Sequence, residues 1–529
     1  MRLDKLKIRD FKNLKDFDVD FDQDTLTTVL VGQNGAGKSN LLEALVVIFR
    51  DLHLGERKPE FDYEIAYECR GRYVVVNAER SREPQSIEVC VDGTEVPYSQ
   101  FRKAALDYSN SYLPSFVFGY YSGTSDRMAE HFRKPLELYY SAFIGPKAKK
   151  EGELPFSPLF YAQDVHSQFV LLAFFLRGDQ AAREFLNDYL RVECLDSVLF
   201  VMKRPPWTSK QGDLRFWKAK GPVQGFLSKL YDVALAPLRI RVRHKVSLGL
   251  PNQVSEQQLF LYVQGQEDLR RLFEAYGDEE TLFKALESPH ISGLLSEVRT
   301  KIRVRNVNNT LTFRELSEGE QQLLKVLGLL RFTLKEEALF LLDEPDTHLN
   351  PVWCLHYIRL MRKVVGDSKN SHVIMATHDP LVIAGLTRKE VQVMRRDADT
   401  GKVSAAWAEE DPKGLGIAGL LTSDVYGLRS TLDLDTLEDV DRMRVLEAKD
   451  GRSADEDAEL QKLKTGLEKQ RFLFTSRDPL YEPFVRAFTR RRDAEQAGKP
   501  VLTQEEQRSR DELADQIVAE LMQEDERTQ

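Results

Sequence analysis

The chain has 529 residues, 42% of them apolar and 30% charged, enough for roughly three or four folding units with substantial cores. Its 75 Lys and Arg against 84 Asp and Glu give a net charge of −9, which excludes the global positive charge of a bulk nucleic-acid coat and leaves room only for a local basic groove. The four cysteines, Cys69, Cys90, Cys194 and Cys354, stand far apart with no CxxC pair, which argues against a structural zinc site and a secreted disulfide framework. The N-terminus lacks a charged-then-apolar signal region, and the longest apolar runs, such as residues 169–176, fall far short of the ~20 residues that span a bilayer. A soluble cytoplasmic protein with no membrane segment is expected.

Residues 26–31 are rich in β-branched side chains and run straight into Gly32, Gln33, Asn34, Gly35, Ala36, Gly37, Lys38 and Ser39, after which residues 40–49 have helical apolar spacing. Strand, glycine loop and helix in that order match G-x-x-x-x-G-K-[ST], in which glycines let backbone amides curl around phosphates. Gly32, Asn34, Gly35, Gly37, Lys38, Ser39 and Asn40 are the candidate nucleotide-binding residues, with Lys38 on the β and γ charges and Ser39 on Mg2+. Residues 63–96 alternate like short antiparallel strands turning at Asp92 and Gly93. Residues 101–235 read as a helical, aromatic-rich insert, broken at Pro205 and Pro206 and by a loop over 145–158. No heptad pattern is sustained over residues 41–315, which excludes long coiled-coil arms. Arg239, Arg241, Arg243 and Lys245 alternate and so share one face of a strand, and Lys301, Arg303 and Arg305 repeat the pattern. Such a face can follow a phosphate backbone, although a charged sheet edge fits the same pattern.

Residues 316–322 read Leu-Ser-Glu-Gly-Glu-Gln-Gln and precede a helical run, placing the Ser317 hydroxyl and the Gly319 backbone at a helix N-terminus, where an anion is favoured. Residues 338–342 read as a fully buried strand ending in Asp343 and Glu344. A carboxylate there holds Mg2+ and the next one polarises an attacking water, so Asp343 is the candidate metal residue and Glu344 the candidate base. Residues 373–376 form another apolar strand, ending at Thr377 and His378. Beyond residue 405 the chain changes character: residues 437–449 and 454–474 read as a helical hairpin, the second helix opened by Ser453 and Glu456. Thr503 and Glu506 cap a final helix with Leu513, Ile517 and Leu521 on one face.

In that order the P-loop, the Ser317 segment, the Asp343-Glu344 strand end and His378 resemble the ABC-type ATPase heads of the SMC, RecF and OLD group. Residues 6–14, Leu-Lys-Ile-Arg-Asp-Phe-Lys-Asn-Leu, look like that group's first strand, and residues 345–349 resemble its D-loop. The resemblance covers roughly residues 1–393 and implies an α/β fold: a P-loop head with a β-rich subdomain, a helical insert and a helical C-terminal region. The expected divisions are 1–100 and 236–404 for the two parts of the head, 101–235 for the insert and 405–529 for the C-terminal region. It further implies ATP and Mg2+ as cofactors, Ser317 and Gly319 as the signature that closes on the γ-phosphate of a second head, and His378 as the switch histidine. Glu318 and Glu320 depart from the Gly and Gln of transporter signatures and fit SMC-like and OLD-like heads. The Q-loop glutamine has no clear position; residues 118–123 and Gln163 mark its candidate neighbourhoods.

Asp433 and Asp435 spell Asp-x-Asp without a preceding apolar strand and read as a helix cap, so neither a Toprim centre nor an HNH motif is expected in the chain. A Toprim-less head followed by residues 419–432 looks like the PtuA ATPases of Septu antiphage systems, including retron-linked ones. That resemblance implies a homodimer of heads or a higher oligomer, a separate PtuB-like HNH nuclease and nucleic acid engaged through the complex. The alternative is a RecF-like repair ATPase that clamps DNA with residues 239–245 and needs no nuclease partner; a nucleotide-dependent scaffold with negligible turnover is a third reading.

Overall fold

A computed structural model describes residues 1–82, 85–105, 112–146, 148, 157–177, 180–245, 253–274, 276–305, 310–332, 337–365, 370–469, 484, 487–488, 491 and 503–528. In chain order, β1 (Arg2–Phe11) and β2 (Leu14–Asp20) make a hairpin, and β3 (Thr27–Val31) leads through the glycine loop into α1 (Lys38–Leu54). β4 (Tyr63–Cys69), β5 (Arg72–Ala78), β6 (Ile87–Val91), β7 (Thr94–Val96) and α2 (Tyr98–Ala105) follow. Next come β8 (Phe116–Tyr121), α3 (Ala129–Tyr139), β9 (Leu159–Tyr161), α4 (Asp164–Arg177), α5 (Gln180–Asp188) and β10 (Val192–Lys203). α6 (Gly221–Val233), β11 (Leu238–Lys245), β12 (Gln253–Gln264), α7 (Gln266–Glu274), α8 (Glu279–Ile291), β13 (Leu295–Val304) and β14 (Leu311–Thr312) precede α9 (Glu318–Phe332). β15 (Ala338–Asp343), α10 (Pro351–Val365), β16 (Ser371–Ala376), α11 (Pro380–Ile383), β17 (Val391–Arg396) and β18 (Val403–Trp407) complete the strands. α12 (Gly416–Thr422), α13 (Leu434–Ala448), α14 (Ala454–Lys469) and α15 (Gln504–Thr528) lie beyond them.

The strands form three sheets. A six-stranded antiparallel sheet runs β2-β1-β4-β5-β6-β7, a five-stranded one β11-β12-β10-β13-β14, and a seven-stranded one β18-β17-β3-β16-β15-β8-β9. In the last, β17, β3, β16, β15, β8 and β9 are parallel, with only β18 antiparallel. Every residue of β3, β15 and β16 is buried, the mark of parallel strands covered on both faces, and the reason their sequences are continuous apolar runs rather than alternating ones. The parallel order brings the ends of β3, β15 and β16 side by side, where open α/β sheets bind ligands.

Residues 101–235 depart from the expected helical insert. β8 and β9 join the seven-stranded sheet and β10 is a central strand of the five-stranded one. The physical reason is that Phe-Val-Phe-Gly-Tyr-Tyr of β8 is buried on both faces, a pattern that cannot be told from a buried helical turn by periodicity alone. Its pairing with β15, far along the chain, decides the matter.

The chain divides into two units, one of residues Met1–Val382 with Lys389–Trp407 and another of Ile383–Arg388 with Ala408–Gln529. In the second, α13 and α14 share a small core of Val440, Met443, Leu446, Leu460 and Leu467. Asp433 caps α13 by accepting from the Thr436 amide, as a helix cap rather than a metal site. Ser453 with Glu456, and Thr503 with Glu506, each make the reciprocal bonds of a capping box. α14 is described to Lys469, and the remainder of the helix expected to reach residue 474 lies outside the described residues. Among the described residues, no helix is long and apolar enough to cross a membrane.

Candidate nucleotide site at the end of the parallel sheet

The glycine loop takes its shape from three left-handed positions, Gly32 (φ +152°), Gly35 (φ +82°) and Gly37 (φ +92°). At Gly32 a Cβ would lie 2.1 Å from the Met394 carbonyl oxygen, so only glycine lets β3 turn there against β17. Gly37 is the residue before α1, so no side chain caps the first turn and its amides face the concavity of the loop. Lys38 folds back over that concavity: Nζ donates to the carbonyls of Gly32 (2.7 Å) and Gln33 (3.4 Å). Burial lowers the pKa of this amine, opposed by the negative charges of Glu344 and Asp343. Gln33, Asn34 and Gly35 form the exposed rim, and Ser39 and Asn40 are half-buried.

At the end of β15, Asp343 is 1% exposed and neither of its carboxylate oxygens makes a hydrogen bond. Burial pushes this carboxyl up to about 6; the neighbouring Ser39 hydroxyl pulls it down and Glu344 pushes it up further. A buried carboxylate with no geometric hydrogen bond, beside the Ser39 hydroxyl, offers hard oxygen donors that fit the coordination preferences of Mg2+. Glu344 holds a left-handed backbone (φ +51°), uncommon outside glycine, with its amide donating to the Ala376 carbonyl of β16 (2.8 Å). The kink ends the strand and sets Oε1 3.2 Å from Nδ1 of His378, which follows β16. Asp346 is buried and held by the Thr377 hydroxyl (2.6 Å); burial raises it to about 6 despite that bond.

The Ser317 segment sits on the loop after β15. Ser317 donates from its amide and its hydroxyl to the same Glu320 oxygen, 2.8 Å in each case, and Glu320 returns a bond to the hydroxyl, closing a capping box on α9. A Cβ at Gly319 would come 2.5 Å from the His348 carbonyl, Gln322 donates to the Pro345 carbonyl (2.5 Å), and Glu318 pairs with His348 at 3.3 Å. The structure thus joins Lys38, Ser39, Asp343, Glu344 and His378 in one site and ties Ser317 and Gly319 to the loop behind it.

Two contributors carry no sequence motif of their own. β8 runs beside β15 with Tyr121 opposite Asp343, the Ser122 amide donates to the Asp343 carbonyl (3.2 Å), and Ser122 and Thr347 share a hydroxyl contact (3.1 Å). The loop after β8 therefore borders the site at one of the two segments considered for the Q-loop, and it carries Arg127, whose positive charge helps hold Asp343 down. Gln163, the other segment considered, accepts through Oε1 from Nε2 of His290 (2.9 Å).

β11 is the edge strand of the five-stranded sheet, with Arg239 and Arg241 exposed; Arg239 stacks 5.3 Å from the Trp217 ring. The side chains of Arg243, His244 and Lys245 lie outside the described residues. Strand pairing puts Lys301 on the opposite face from Arg239 and Arg241, and Arg303 and Arg305 pair with Asp196 (3.5 Å) and Glu193 (3.6 Å). The two basic sets do not merge into one surface.

Two family models match. An AAA ATPase domain model covers residues 1–95, which hold the P-loop, and one described as AAA domain, putative AbiEii toxin, Type IV TA system, covers residues 227–384, which hold Ser317, Asp343, Glu344 and His378. Both matched models are of AAA type, and together they hold the P-loop, Asp343, Glu344 and His378. The chain is 27% identical over 175 residues to the Septu protein PtuA of Bacillus mycoides (strain KBAB4), an alignment covering 31% of this chain and 24% of that protein. It is 26% identical over 132 residues to protein ea59 of Escherichia phage lambda, covering 25% of this chain and 24% of that one. The aligned stretch thus spans about a quarter of the length of either relative. Among solved structures, the SMC head domain from Thermotoga maritima matches with 14% identity and a TM-score of 0.30, over 77% of this chain and 100% of that one. The recombination mediator RecF with ATP matches with 15% identity and a TM-score of 0.23, over 72% and 92%.

Proposed function

We propose that this chain is an ABC-type ATPase, the ATP-binding and hydrolysing subunit of a prokaryotic antiphage defence complex, and that its nucleotide-gated pair of heads controls a separate HNH-type nuclease. The observation that carries the ATPase part is the unpartnered, buried Asp343 carboxylate beside Ser39, with the Glu344–His378 pair next to it. The similarity to the Septu protein PtuA supports the defence part.

On this reading Gly32, Asn34, Gly35, Gly37, Lys38, Ser39 and Asn40 bind the triphosphate, with Lys38 leaving the Gly32 and Gln33 carbonyls for phosphate oxygens. Ser39 and Asp343 would hold Mg2+, whose charge would offset that of the phosphates. Glu344 accepts a proton from the water that attacks the γ-phosphorus; the bond to the bridging oxygen breaks and ADP retains that electron pair. His378 orients Glu344 and contacts the γ-phosphate. Ser317 and Gly319 of a second head close the site, so ATP favours the paired state and hydrolysis reopens it.

The test is mass spectrometry of what co-purifies with the tagged chain expressed from its native locus. A stoichiometric HNH protein is expected. Recovery of the chain alone, or with replication and repair factors, moves the weight to a RecF-like DNA-clamping ATPase, a reading that rests on the exposed Arg239 and Arg241.

A further inference from the structure

A line of side-chain hydrogen bonds runs from the loop after β8 to the tip of the phosphate loop. Arg127 Nη2 donates to Asn40 Oδ1 (2.7 Å), Asn40 Nδ2 donates to Asn13 Oδ1 (2.6 Å), and Asn13 Nδ2 donates to the Gly35 carbonyl (3.0 Å). Every amide in the line is oriented the same way, each accepting from one neighbour and donating to the next. The Gly35–Ala36 peptide is pinned from its other side as well, because the Ala36 amide donates to the Gln33 carbonyl (3.1 Å). Gly35 holds a left-handed conformation, so the shape of the loop there depends on what holds that peptide.

Arg127 has a second anchor. Its Nε donates to Glu43 Oε2 (3.2 Å), one helical turn beyond Asn40 on α1. Glu43 is 3% exposed and also accepts from Lys12 and from His131 of α3 (2.9 Å). Burial pushes the Glu43 carboxyl up, but the bonds from His131 and Lys12 and the charges of Lys12 and Arg127 outweigh it and hold it at about 2. Glu43 is thus served without Arg127. What only Arg127 supplies is the fork that grips Asn40 and Glu43 together, a geometry a point charge cannot copy.

We propose that Arg127 is a positioning residue of the nucleotide site, which acts through Asn40 and Asn13 to hold the Gly35 peptide of the phosphate loop in the shape that receives phosphates. The grip on nucleotide then depends on where the loop after β8 stands, and that loop also touches the Asp343 strand end through Ser122. The proposal rests on the nucleotide-binding reading above.

The test uses the full chain, Mg2+ and the non-hydrolysable analogue AMP-PNP, with binding followed by calorimetry and folding followed by Tm without nucleotide. Arg127→Lys keeps a cation near Glu43, so Tm stays within about a degree of wild type while AMP-PNP binding weakens about tenfold. Asn13→Ala weakens binding by a similar factor, and adding Arg127→Lys to it has little further effect, because the line is already cut. Binding within about twofold of wild type for Arg127→Lys, or multiplicative losses in the double variant, overturns the positioning role and leaves the nucleotide site intact. Failure of the wild-type chain to bind AMP-PNP removes the nucleotide site and the proposal together.

Discussion

The end of the parallel sheet and the five-stranded sheet both concentrate charge, and they treat it in opposite ways. At the ends of β3, β15 and β16, Asp343 is buried with no hydrogen-bond partner, and Glu344 sits on a strained backbone to reach His378. Across the five-stranded sheet, Arg303 and Arg305 are exposed and matched by carboxylates, and Arg239 lies on an aromatic ring at an edge. Buried charge without partners costs several kcal/mol and persists only where something else returns the energy, which makes it a better pointer to chemistry than a larger number of exposed, satisfied charges.

The sharpest break of that contrast is Glu344→Gln. Loss of the proton acceptor should lower ATP turnover by about 100-fold or more while binding persists, measured by phosphate release alongside AMP-PNP titration. Sedimentation of the same variant should show ATP-bound heads trapped as pairs; pairing that ignores ATP sinks the two-headed site. A smaller effect tests the burial of Asp343 directly. Its folded-state pKa near 6 lies above the unfolded value of about 3.9, so the nucleotide-free protein loses stability as pH rises from about 4 to 6, with Asp346 adding in the same direction. Glu43 has the opposite sign, and its contribution is lost only as pH falls from about 4.5 toward 2. Asp343→Asn should therefore raise Tm at pH 7.5 by about 2 to 4 °C while abolishing turnover, and a lower Tm would contradict the unpartnered carboxylate. The smallest effect belongs to the other sheet. Arg239→Ala with Arg241→Ala should change neither ATP turnover nor Tm by more than about a degree. Strong salt-dependent DNA binding by the wild type, lost in this pair, would erase the contrast and favour the DNA clamp.

The phosphate loop, Asp343 and Glu344 were legible because strand, turn and helix are contiguous, and the chemistry of each piece is written within about ten residues. β8 was not, because what makes it part of the site is a neighbour on β15: Ser122 and Thr347 touch although they stand 225 positions apart. Arg127 had no local signal at all, since its meaning depends on Asn13 and Asn40 reaching it from two other elements. Alternation correctly placed Arg239 and Arg241 on a strand, and only the pairing of β11 with β12 and of β10 with β13 reveals that Lys301 faces the other way.

The seating of α9 on the loop after β15 has one more consequence. Gly319 against His348, Gln322 on Pro345 and Glu318 beside His348 fasten the Ser317 segment to the backbone that also carries Glu344. A shift of one carries the other. If heads pair as proposed, the segment proposed to read the partner's nucleotide would be fastened to the carboxylate proposed to act on its own, so the two sites would fire with positive cooperativity rather than as independent clocks.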